Sequence, residues 1–400
     1  MKLKMVLMAL YLTVQASYCF SQQDDSLNVQ TVDTVRERQH IAIFAPLYLD
    51  SAFDAGGNYR YARSFPKFIN PGLEFWEGAQ LAIDSLKKEG VKVDVHVYDT
   101  RSTKKPFASL VADPELKQMD LLIGHVNVNE AASLAWLANN QGIPFINANL
   151  PNEAGVSNNP QYVILNSTLY THCSGIYRFL QTNYSVSNII VFRKKGATED
   201  RLKDYLTQIE NNTAAIKLKI KYVTLENNFT IQQLQPYLDS NKTNVCLAGS
   251  LDAAFGQSLC QLLSSVSSSY TSTVFGMPTW DVLDFEKPMY KGIEIFYSTP
   301  FYINPADKLV AHLNDYFRIQ YYSRPSDMVF RGYETLYHFA RLLNEHKQNI
   351  SSSLGDKKYK IFTEMDVQPV LDKKDMTLDY FENKKLYFVK KVDGQVKAVY

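Results

Sequence analysis

Cysteine is scarce in this chain, four in 400 residues. One of them, Cys19, falls in an N-terminal targeting segment, which leaves Cys173, Cys246 and Cys260. An odd count keeps at least one thiol free or bonded to another molecule. Cys246 closes an expected strand and Cys260 lies on the next helix, so their placement allows a bridge. Buried free thiols packing as small hydrophobes are the simpler expectation. An excess of either charge is also missing, with 42 basic residues against 41 acidic ones. That balance of charge argues against a nucleic-acid surface. Beyond the N-terminus no apolar run reaches the roughly 20 residues that a spanning helix needs.

Catalytic signatures are absent too. The sequence holds no H-E-x-x-H, G-x-S-x-G, Walker loop or G-x-G-x-x-G. Its histidines, His40, His96, His125, His172, His312, His338 and His346, are scattered without metal-ligand spacing. The expectation is a non-enzymatic protein with no cofactor and no metal.

What is present begins with an export signal over residues 1–21. Lys2 and Lys4 supply a positive start, Met5 to Val14 an apolar run, and Cys19-Phe20-Ser21 a cleavage site before Gln22. Bulky Tyr18 precedes Cys19 where a lipid-anchor site takes a small residue, which argues against a lipid anchor. Residues 22–38 are polar and without period, a flexible leader. The remainder is long enough for two domains of ordinary size, and its expected location is the periplasm or cell envelope.

From His40 onward, strands and helices alternate. "HIAIFAPLYLD" (His40 to Asp50) is nearly continuous in apolar residues, as a buried parallel strand demands. Pro71 to Gly90 is a helix opened by proline and stopped by glycine, and Val91 to Thr100 is an alternating strand. "QMDLLIGH", a helix over Asn129 to Asn140, "GIPFINAN" and "PQYVILN" continue the series. It restarts with "SNIIVFRK", a helix over Glu199 to Asn211, "IKLKIKYVTL", "NVCLAGS", a helix over Ala253 to Val266, "STVFGM" and "GIEIFYSTPF". Helices over Ala306 to Tyr322 and Asp327 to Glu345 follow. The tail reads as strands at "KIFTEM", "LDYFEN", "KLYFVKKV" and "QVKAVY". Two βαβα runs imply an α/β protein of two doubly wound parallel-sheet lobes, whose ligand would sit beyond the strand C-termini.

The ordered set "FAPLYLD", "FWEGAQLAIDSLKKEGVKVDVHVYD", "LLIGHVNVNEAASLAWLANNQGIPFINAN" and "FRGYETLYHFARLL" resembles the type I periplasmic binding proteins, especially the leucine/branched-chain amino acid branch. The resemblance covers almost the whole mature chain. It implies two lobes joined by a three-crossover hinge that closes on a solute. Lobe 1 would be residues 39–165 plus 300–349, and lobe 2 residues 166–299 plus part of 350–400, with the tail returning through the hinge. It also implies a small polar solute as ligand and a membrane permease or sensor as partner. The sequence departs from the family's amino-acid contacts. Val128 and Pro151 stand where a serine and a threonine hold the ligand carboxylate, and Ala197 stands where a tyrosine is expected. Asp252 is the displaced counterpart of the acidic partner for the ligand amine.

Candidate ligand contacts therefore lie at the strand ends of both lobes. They are Tyr48, Asn127, Asn129, Asn147 and Asn149 in the first, and Ser250, Asp252 and Trp280 in the second. Asparagine carries both a donor and an acceptor, fit for a neutral polyhydroxylated or amide-bearing solute. It equally suits turns and helix caps, and Asn129 is placed to cap the helix that follows it. Trp280 could stack on a ligand or cover the sheet edge, and Tyr302 is placed for hinge packing. The long connection Leu49 to Asn70 carries Tyr59, Tyr61, Phe65 and Phe68 with Arg60, Arg63 and Lys67, as a binding loop or a loop pinned by its own aromatics. An envelope scaffold that keeps the fold without a ligand is the alternative function.

Overall fold

The computed structural model describes residues 38–61 and 65–400. The expected signal and leader, Cys19 and Arg63 lie outside the described residues. Five strands, β1 (Gln39–Ala45), β2 (Val93–Asp99), β3 (Leu121–Gly124), β4 (Phe145–Asn147) and β5 (Tyr162–Ile164), run parallel in the first sheet. A second parallel set follows: β6 (Asn188–Arg193), β7 (Ile220–Thr224), β8 (Asn244–Ala248), β9 (Ser272–Phe275) and β10 (Glu294–Thr299). The tail supplies β11 (Val367–Leu371), β12 (Leu378–Asn383), β13 (Tyr387–Val392) and β14 (Gln395–Val399). The sheets are ordered β11-β12-β5-β4-β3-β1-β2 and β14-β13-β10-β9-β8-β6-β7. Both are doubly wound, with the order reversing beside β1 and beside β6, and a crevice opens where it reverses.

Burial explains why the central strands read as apolar runs. Ile41 to Ala45 are fully enclosed, because helices cover both faces of a parallel sheet. The longer helices are α1 (Asn70–Lys88), α2 (Val128–Gln141), α3 (Leu169–Asn183), α4 (Ala197–Asn211), α5 (Ala253–Ser265), α6 (Lys308–Tyr321) and α7 (Asp327–His346). In the first lobe α1 and α7 pack together on one face. Their backbones touch: a Cβ placed on Gly78 would lie 1.9 Å from the Val329 carbonyl oxygen, and one on Gly332 1.9 Å from that of Phe75. Among the described residues no helix is long and apolar enough to cross a membrane. Cys173, Cys246 and Cys260 are all buried free thiols.

The tail differs from its sequence reading. "KIFTEM" is irregular, and the strand is instead "VQPVL", β11. Pro369 hides it from a strand reading, yet β11 is an edge strand, where a missing N–H costs no ladder bond. β12 lies parallel to β5 in the first sheet, and β13 antiparallel to β10 in the second, so the tail is shared between the lobes.

The chain therefore passes between sheets after β5, after β10 and after β12, and buried side chains bind the first and third crossings together. Asn383 donates to the Leu165 carbonyl at 3.1 Å and accepts from Asp366 N at 2.9 Å and Lys385 N at 3.1 Å. Glu382, 1% exposed, accepts from Thr168 N at 2.7 Å and pairs with Lys384. Tyr302 in the second crossing packs its ring 5.9 Å from that of Tyr387 at the start of β13.

Two stability effects follow. Gly332→Ala forces the α1–α7 backbones apart, and the expected loss is about 2 kcal/mol, read as a lower urea midpoint. Trp136→Ala, at a side chain 65% exposed, stays within about 0.5 kcal/mol of wild type. Asn383→Leu leaves several buried backbone groups unpaired and is expected to cost about 3 kcal/mol or more. An unchanged midpoint in either the glycine or the asparagine variant contradicts the role given to it.

Candidate functional site

At the C-terminal edge of the first sheet, most polar groups are already engaged. Asp99, ending β2, accepts from the backbone N–H groups of Leu47, Tyr48, Leu49 and Arg101 at 2.9–3.0 Å. That clamp holds Tyr48 in the left-handed region at φ 54°, a conformation costing a non-glycine residue on the order of 1 kcal/mol. The Tyr48 ring meets Phe68 edge-on at 4.9 Å. Asp50 accepts from the Ser102 hydroxyl and from Thr103 and Lys104 N, and its carboxyl falls to about 2.

The asparagines serve the backbone. Asn127, not Asn129, caps α2: its Oδ1 accepts from Glu130 N, while Glu130 accepts from Asn127 N in a reciprocal capping box. The cap falls there because the helix begins at Val128, one residue before its expected start. Asn129 is exposed in the first turn. Asn149 pairs with both backbone groups of Val126, at 2.8 and 3.0 Å. Asn147 is fully enclosed, donating to the Tyr162 hydroxyl and the Leu150 carbonyl. Its side chain closes the turn after β4.

The second-lobe candidates divide similarly. Ser250 is fully buried and donates to Glu199 Oε1 at 2.6 Å, which removes it from the cleft surface. Asp252 caps α5 through Ala254 N and Phe255 N, and its bond with Lys194 depresses its carboxyl. Trp280 is enclosed as well. Its ring is 0% exposed and fills the space left by Gly256 and Gly276, where added Cβ atoms would come within 2.4 and 1.9 Å of it. It covers the sheet edge against Phe285, 5.2 Å away. In the Leu49 to Asn70 connection, Tyr59 packs on Phe53, Tyr61 and Phe65, so that loop is pinned by its own aromatics.

A different set of residues gathers where the lobes meet, beside the second crossing. A cavity of about 200 Å³ is bounded by Asp327, Arg331 and Glu334 of α7 in the first lobe, and by Asp281, Tyr297 and Val389 in the second. Arg331 lays its guanidinium over the Phe301 ring, 3.8 Å from the ring centre, and its Nε finds no acceptor among the described residues. Glu334 is 1% exposed; its Oε2 accepts from Thr363 N and Oγ1, and its Oε1 is buried without a partner among the described residues. Such an orphan costs roughly 1–3 kcal/mol, more for a charge. A larger surface depression of about 520 Å³, beside Asn314, Arg318 and Tyr322, belongs to one lobe only.

Burial pushes the Glu334 carboxyl up to about 7 despite its bonds to Thr363 and the nearby Arg331. Asp281 keeps contact with solvent, yet desolvation by the cleft walls, and then Asp327, raises its carboxyl as well. Nearby His125, at the end of β3, is held near 4 by burial and by Arg331, so its ring is neutral at pH 7. Its ring lies 5.6 Å from Phe75, a packing role.

The α7 residues escaped sequence reading although "FRGYETL" carries them. The available signal was the spacing Asp327, Arg331, Glu334, His338. It lays four polar side chains on one stripe of a helix whose neighbours Val329, Phe330, Tyr333 and Leu336 are buried.

Glu334 has a measurable consequence for stability. It is surrounded by Asp327, Arg331 and His338 on its own helix, by Lys357, Lys360 and Thr363 of the following segment, and by Asp281 across the cleft. A carboxyl raised in the folded state gives stability that is full below its unfolded value. That stability is lost as pH climbs to about 7. Glu334→Gln is thus expected to be more stable than wild type at pH 8 by up to about 3 kcal/mol. The gain shrinks toward pH 5 as wild type recovers its proton. Glu77, also raised to about 7 by burial and by Glu74, titrates in both proteins and cancels. Parallel stability-versus-pH curves for the two proteins would contradict the assignment.

No protein-family model matches the sequence, and none of the curated proteins matches it. Among solved structures, the chain is similar to a candidate branched-chain amino acid ABC transporter from Rhodospirillum rubrum. That likeness has a TM-score of 0.65 and 11% identity, over 90% of this chain and 99% of the other. A branched chain amino acid ABC transporter periplasmic ligand-binding protein from Burkholderia xenovorans gives 0.58 and 14%, over 90% and 95%. An ABC transporter substrate-binding protein from Desulfitobacterium hafniense gives 0.56 and 13%, over 90% and 99%. At these identities the likeness is one of fold: two lobes of doubly wound α/β structure, the fold of the type I periplasmic binding proteins.

Proposed function

We propose that this protein captures a small polar solute between its two lobes, without catalysis, and delivers it to a membrane permease or reports it to a sensor from the periplasm or cell envelope. The observation that carries the reading is the cavity beside the second crossing, bounded by Asp281 and Tyr297 from one lobe and Arg331 and Glu334 from the other. A solute there contacts both lobes at once, so its binding free energy favours the closed arrangement over the open one. Buried polar groups that lack partners supply the directional contacts. The solved structures of like fold include proteins described as ligand- or substrate-binding components of ABC transporters, which supports the reading. The N-terminal signal pattern supports export.

A specific observation favours the second reading, an envelope scaffold that has kept the fold. Three of the four strand-end asparagines, Asn127, Asn147 and Asn149, spend side-chain groups on capping and turn contacts, which leaves fewer side-chain donors at the usual ligand edge. Thermal denaturation across a broad library of metabolites separates the two readings. Solute binding is expected to raise the midpoint for at least one compound, by about 2.7 kcal/mol of stabilisation at a hundred times the Kd. A library that leaves the midpoint unmoved throughout, with no small molecule retained in native mass spectra of protein from its host, establishes the scaffold reading instead.

A further inference from the structure

We propose that the interlobe cavity takes a small organic amine: a cation with at least one N–H and a short apolar stem, lacking a carboxylate. The inference rests on the solute-binding reading and names its ligand class. The cavity wall carries Asp281, Asp327 and Glu334 against the single cation Arg331. Arg331 offsets one negative charge, with a flat face already laid on Phe301. The balance is two negative charges when all three carboxylates are ionised, a poor setting for an anion and an unbalanced one for a zwitterion. Glu334 Oε1 is enclosed and has no partner among the described residues, so it calls for a donor, and an ammonium provides one with charge.

An inorganic cation is a weaker fit. Among the described residues no group of three or more His, Cys, Asp or Glu converges closely enough to hold a metal ion. The acids are spread along the wall, which suits a charge carried on an extended molecule. Tyr297, Tyr302 and Val389 supply aromatic and apolar wall for the stem. A volume of about 200 Å³ matches a chain of a few carbons with one or two nitrogens.

Calorimetry and thermal denaturation of the full chain at pH 8 test this with putrescine, agmatine and choline against leucine, glutamate and glucose. Putrescine or agmatine is expected to bind. Choline, which has no N–H on its cationic nitrogen, is expected to bind at least tenfold more weakly. Glu334→Gln, which keeps the shape of the side chain, should weaken the amine tenfold or more, and Asp281→Asn at the exposed rim should weaken it less. At pH 7 the amine drives Glu334 to its ionised form, so wild type releases protons on binding, seen as a buffer-dependent heat. Facing Arg331, Asp327, His338, Asp281, Lys357 and Lys360 are common to both proteins, and Glu334→Gln should lose this release. Leucine, glutamate or glucose binding where amines do not would overturn the amine assignment while leaving solute capture standing. Amine binding undiminished in both variants would also overturn it. No binding by any compound of the broad library would overturn both.

Discussion

The junction around Asn383 is the constraint on which both lobes depend. Three strands of chain cross between the sheets there, and no sheet ladder serves the crossing backbone. A single buried amide takes over that service, holding the carbonyl of Leu165 and the N–H groups of Asp366 and Lys385. Glu382 does the same for Thr168 N. Because β12 ends at this residue and β13 begins shortly after it, the register of both tail strands is set from one point. An apolar residue of similar size would fill the volume and satisfy none of the groups, which is why the fold spends a buried asparagine here.

The architecture was legible because parallel strands covered on both faces must be apolar along their length, and "HIAIFAPL" and "NVCLAG" are. The tail was less so. An edge strand containing Pro369 breaks the pattern by which strands are recognised, and the irregular "KIFTEM" imitates it. Nothing local in "LDYFEN" says that it pairs with β5, far earlier in the chain.

The site was harder still. Asparagine at a strand end is ambiguous between holding a ligand and holding its own turn, and the side chains of Asn127, Asn147 and Asn149 make cap and turn contacts that the sequence does not specify. The Trp280 indole fills a hole beneath the sheet edge, while the adjacent Asp281 reaches the cavity. Arg331 and Glu334 sit in a helix whose apolar face dominates its pattern. The property that singles them out, a buried polar atom without a partner among the described residues, exists only once the fold is assembled.

Sharing the tail between the lobes has a consequence for how the molecule is made. A chain emerging from its N-terminus can form β1 to β10, yet β5 and β10 each keep a bare edge until β12 and β13 arrive. Bare strand edges recruit wrong partners, and pairings between distant segments form slowly. The nascent protein thus passes through a stage in which both halves are vulnerable together, and the arrival of a few final strands ends that stage for both. Holding chaperones are most useful in that interval, and a chain shortened by even its last strands would remain their client.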